Sequence, residues 1–154
     1  MFVTDTFFFE KRHNLHNPRM TLLQLTSCAL FAASIASYQL EFYLDAALFA
    51  VQGVMALIYH TTYSPFWLKL DRAALLLLVV RGFLLAIRSS IVLILFTAGS
   101  CLMTRIYVYG WLYACYSFDP CKTNADRYHS AMHTIVPLLY VVSLGYLYTT
   151  TSSQ

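Results

Sequence analysis

His60, Asp71, His129 and His133 are the residues whose types and spacing could carry chemistry in this chain. Imidazole is costly to bury in lipid and is a common zinc ligand. The two histidines of His129-Ser130-Ala131-Met132-His133 stand four apart, so on a helix both rings leave one face and can reach a single ion at about 2.1 Å. His60 closes one apolar segment and Asp71 opens the next. Zinc held by three histidines keeps a fourth position for water, whose pKa it can lower to about 7. A nearby carboxylate can then take up the proton or orient the attack. These four side chains are the donor set of a metal-dependent hydrolase.

Whether they meet depends on what solvates the chain. Of its 154 residues 59% are apolar and 11% charged, so a soluble domain of this size would leave too much apolar surface in water. Lipid is the expected solvent, and the length allows one helical bundle with no appended soluble domain. Apolar segments run over 21–38, 41–60, 68–88, 90–116 and 128–148. Each can cross about 30 Å of hydrocarbon at about 1.5 Å per residue, and none alternates like a barrel strand. The expected fold is therefore all-α, a polytopic transmembrane bundle of about five helices over 20–149. A polar N-terminal tail at 1–19, without the order of a cleavable signal peptide, precedes it, and a C-terminal tail at 150–154 follows. Tyr38 to Glu41, Ser64-Pro65, Arg88-Ser89-Ser90 and Asp119-Pro120 supply the breaks. Thr123 with Asp126 has the spacing of a capping box that would open the fifth helix. An odd helix count returns the start of the fifth helix to the side where the second ends and the third begins.

The remaining features bear on orientation more than on chemistry. A net charge of +3 is too small and too scattered along the chain to suggest a nucleic-acid partner, and none is expected. With five crossings, Lys11, Arg12, Arg19, Lys69, Arg72, Lys122 and Arg127 share one side, which the positive-inside rule makes cytosolic. The amino terminus and the metal site are then cytosolic, and the carboxyl terminus luminal or extracellular. Arg81 and Arg105 fall within apolar segments and are expected to snorkel or to face the interior. Glu41 and Asp45 lie about 22 Å from His60 along the second helix and read as interfacial anchors. Three of the four cysteines lie in or beside apolar segments and read as small packing residues, with a Cys115–Cys121 bridge the alternative in an oxidising compartment. The tyrosines, Tyr107 and Tyr140 among them, read as aromatic belts.

His60-Thr61-Thr62, Asp71 eleven residues after the histidine, and the late H-x-x-x-H together resemble the CREST superfamily of membrane hydrolases. That group includes alkaline ceramidases, adiponectin-receptor and progestin-receptor-like proteins, GPI-remodelling hydrolases and myomaker-like proteins. The resemblance rests on Tyr59 to Asp71 and on Asp126 to Pro137. It implies a shortened bundle in which His60, His129 and His133 are zinc ligands and Asp71 positions or activates water. Two features depart from the family pattern: Ala56 stands where the family has serine, four residues before the first histidine, and five helices replace the usual seven. Thr61, Ser64 or Ser130 would have to supply the missing hydroxyl.

Singly, each site residue has a plainer reading: an interfacial histidine at a helix end, a polar first turn, or a carboxylate at the positive end of a helix dipole. Agreement of all four in side, order and spacing favours the metal site. Two functions follow from different classes. The first is an integral-membrane zinc hydrolase of a lipid amide or ester, with ceramide-type amides foremost. The second is a non-enzymatic membrane protein whose metal ties helices two and five together, acting in lipid sensing, remodelling, or assembly with a membrane-protein partner or a second copy.

Overall fold

The computed structural model describes residues 22–152, so the tail at 1–19 lies outside the described residues. Within them the chain is all-α, with five helices and no strand. They are α1 (Leu22–Gln39), α2 (Tyr43–Thr62), α3 (Pro65–Ala86), α4 (Ser90–Met103) and α5 (Lys122–Ser152). Beyond Met103 the fourth helix continues through a π-helical stretch, Thr104–Tyr109, and a last α turn, Gly110–Tyr113. A 3-10 turn, Tyr116–Phe118, leads into α5. Each helix packs on its successor and α5 closes back on α1, which makes a ring.

The joints follow from local chemistry. At the end of α2, Tyr63 turns left-handed and its N–H bonds the Tyr59 carbonyl; Ser64 is extended, and Pro65 starts α3 at a position where its missing N–H costs nothing. That joint is so short that α2 and α3 form a tight antiparallel hairpin. The expected capping box at Thr123 and Asp126 does not form. Asp119 accepts the Cys121 N–H at 2.7 Å, α5 already begins at Lys122, and Asp126 pairs with Lys122 at 2.6 Å. The carboxylate two residues upstream satisfies the opening amide first. At its other end α5 runs on to Ser152, so residues 150–152, read as tail, are helical; the Thr150 and Thr151 hydroxyls bond carbonyls of the preceding turn.

Three segments are long and apolar enough to cross a membrane: α2, the continuous stretch Ser90–Phe118, and α5. Small residues allow α1 and α2 to pack closely. Gly53 receives the Phe31 ring, and Ala33 and Ala56 lie in a core with Leu30, Phe49 and Leu78. A second core of Leu85, Ala86, Val92, Leu144 and Leu147 closes the opposite end of the ring.

Asp45 is not an interfacial anchor. It is fully buried, takes two hydrogen bonds from the Arg81 Nε and Nη2 at 3.1 and 2.9 Å, and accepts a third from the Tyr140 hydroxyl at 2.6 Å. Asp45 and Arg81 stand almost equally far from the α2–α3 turn, so the hairpin itself brings the opposite charges level. Arg81 thus faces inward, whereas Arg105 lies on the outside beside the Tyr116 hydroxyl. Removing one member of a buried pair strands the other charge, at about 3–5 kcal/mol, while an apolar replacement of both is far milder. Asp45→Asn and Arg81→Met are each expected to lower the unfolding free energy of the purified protein in detergent by about that much. The double variant Asp45→Leu/Arg81→Met should lose less than either, as measured by denaturant titration.

Candidate metal centre

His60 projects from the last turns of α2, and His129 and His133 from adjacent turns on one face of α5. Because α2 and α5 have the same end of the ring at these positions, the three rings converge. One ring nitrogen from each lies within 4.8 Å of the other two, and the Nε2 atoms of His129 and His133 are 3.1 Å apart. Ring centroids are 5.2 Å apart for His60 with His129 and for His60 with His133. A tetrahedral ion with bonds of about 2.05 Å separates its ligand nitrogens by about 3.3 Å, so small rotations of the rings suffice. His60 is buried at 2% exposure and the other two are half-buried. Three such histidines could hold a metal ion, and imidazole sets suit zinc, copper, iron or nickel.

One contact beyond the three rings orients the His133 imidazole. Ser27, fully buried on α1, donates its hydroxyl proton to the Leu23 carbonyl at 2.8 Å. Its oxygen also lies 3.3 Å from the His133 Nδ1. With the hydroxyl proton on the Leu23 carbonyl, Ser27 would accept a hydrogen bond from an Nδ1–H of His133. In that tautomer the Nε2 lone pair of His133 is directed at the other rings, as metal binding requires. Nothing in the spacing of residues singles out Ser27, which lies 106 residues from its partner.

Asp71 is set apart from this cluster. It is as far from the α2–α3 turn as Ala56, and so stands about one helical turn, roughly 6 Å, deeper than His60. Its Oδ1 accepts the Gln52 side-chain N–H at 2.7 Å. Tyr107, read from the sequence as part of an aromatic belt, instead joins the site. The π-helical stretch carries it, and its ring packs edge-on to His129 at 5.7 Å. Of the three hydroxyls considered for the role of the family serine, Thr61 is exposed and bonds the Leu57 carbonyl, Ser64 is half-buried at the turn, and Ser130 is buried on α5. Ala56 itself is sealed in the core at 0% exposure.

The site opens on a cavity of about 930 Å³ between α3, α4 and α5, with α2 as its floor. The three histidines, Asp71, Tyr107 and Gln52 line its polar end, and Leu78, Leu85, Val92, Phe96 and Leu139 its apolar length. From His129 to Ser143, both in the wall, α5 rises about 21 Å. Comparison of the chain with family models, with curated proteins and with solved structures finds no match in any of the three.

Loss of a hydrogen bond that orients a metal-binding imidazole typically costs about 10–100-fold in affinity. Ser27→Ala is expected to weaken zinc or cobalt binding by that factor in a competition titration against a chelating dye. Ser27→Thr, which keeps the acceptor oxygen, should remain within a few-fold of wild type.

Proposed function

We propose that the chain is an integral-membrane zinc-dependent hydrolase of a lipid amide or ester, similar in its chemistry to ceramidases of the CREST superfamily. The observation that carries this reading is the meeting of three imidazoles from two helices at the mouth of a long apolar cavity. His60, His129 and His133 would hold the metal, which when bound supplies a Lewis acid for a carbonyl and acidifies water. Asp71, in the same wall, would hold the proton released during attack and return it to the leaving group. Tyr107, in the same wall and against the His129 ring, would add a hydroxyl to the polar end of the cavity. The apolar walls would keep bulk water from the acyl chain and orient it, with its polar end at the histidines. A lipid can reach such a site without leaving the bilayer.

On this reading all five helices cross the membrane. The concentration of Lys69, Arg72, Lys122 and Arg127 near the site then puts the metal and the amino terminus on the cytosolic side and the carboxyl terminus on the luminal or extracellular side. The partners are membrane lipids, and a second copy or another membrane protein on the outer faces of the helices. Ala56 in the position of the family serine favours a second reading, in which the metal is structural and joins α2 to α5 without catalysis.

Metal content and turnover together separate the two. Purified protein should carry about one zinc per chain and release fatty acid from ceramides or from phospholipid-like esters. His133→Ala is expected to lose both zinc and turnover. Asp71→Asn should keep the zinc and lose about 100-fold or more in kcat, within the range of general acid–base contributions. Zinc without turnover on any lipid of the panel would leave the structural reading, and a chain that binds no metal would end both.

A further inference from the structure

Gln52 is an amide in the middle of α2, 5% exposed and part of the cavity wall. One of its N–H groups is spent on Asp71, but its carbonyl oxygen is buried and has no partner among the described residues. A glutamine placed only to tie α2 to α3 would be expected to use both ends, since a buried acceptor left without a donor is destabilising. The Tyr140 hydroxyl, also in the cavity wall, is already committed to Asp45. Gln52 and Asp71 therefore present acceptors to a cavity whose wall also carries Phe49, Leu75 and Leu78, with the Ser100 side chain on α4.

We propose that Gln52 and Asp71 form a subsite that recognises a hydrogen-bond donor, a hydroxyl or an amide N–H, on the lipid that occupies the cavity. The occupant that fits is hydrocarbon interrupted by one donor group. Plain hydrocarbon at this point would bury the Gln52 carbonyl unpaired, whereas a donor would satisfy it. The inference rests on the cavity being a lipid site, as in the proposed function, and on neither metal nor hydrolysis. It would make the cavity selective among lipids of equal chain length.

Binding to the full chain in detergent, with a chelator present, tests it apart from catalysis. Two probe sets distinguish the source of the donor: stearic acid against its hydroxylated isomers, and a long-chain N-alkyl amide against the ester of the same chain. Wild-type protein is expected to prefer the donor-bearing member of at least one set by about tenfold, the effect of one well-made hydrogen bond. Gln52→Met, close in volume and without the carbonyl, should bring the paired probes to within about twofold. Equal binding within both sets by wild type, as when water fills the subsite, would overturn the proposal without need of any variant. A preference that survives in folded Gln52→Met would overturn it as well. Selective binding in chelator, together with no turnover by the zinc-loaded protein on the same lipids, would uphold the subsite while removing the hydrolase reading.

Discussion

Lipid offers no hydrogen bonds, so a polar side chain carried into an apolar helix must be satisfied by another helix or by whatever fills the space between them. In this bundle that constraint produces a ladder of polar contacts. Asp45 with Arg81 and Tyr140 joins α2, α3 and α5 at one end. Gln52 with Asp71 joins α2 to α3 midway, and Ser27 with His133 joins α1 to α5 at the other end. Each rung fixes how far one helix can slide along its neighbour. Apolar packing alone sets helix registers weakly, because one leucine fits a groove much as another does; a bidentate guanidinium–carboxylate pair accepts a single alignment.

The ring is not uniformly dense. Around α1 and α2, glycine, alanine and serine allow close approach, and 44% of the apolar window of α2 is buried, against 17% for the Ser90–Phe118 segment. The fourth helix thus forms an outer wall that stands off, and the cavity occupies the difference. Its π-helical stretch has a local consequence: the extra residue per turn shifts the helix face, and Tyr107 reaches His129 instead of joining the exposed Tyr109 and Trp111 on the outside. Farther along α5, Pro137 deprives the His133 carbonyl of its usual helical donor.

Much of this was readable in the sequence. Long apolar runs broken by Ser64-Pro65, Arg88-Ser89-Ser90 and Asp119-Pro120 point to five helices, since no other element hides the backbone so fully. The first four have boundaries within about three residues of those expected, whereas α5 starts six residues earlier, in polar sequence that hydropathy does not mark. Spacing of four on one helix decides that His129 and His133 share a face. An odd number of antiparallel helices then decides which end of the ring His60 faces.

Tertiary structure decided the remainder, because it depends on which faces meet across the ring, and periodicity is silent on that. It brought the His60 ring to within reach of the other two, held Asp71 a turn deeper, and recruited Ser27, Gln52 and Tyr107, each of an ordinary type in an ordinary place. Asp45 is the instructive contrast. Arg81 in an apolar segment called for an anion, and the hairpin made Asp45 level with it; only the packing of α5 across both, bringing Tyr140, turned a residue near a helix end into the most deeply buried charge of the fold.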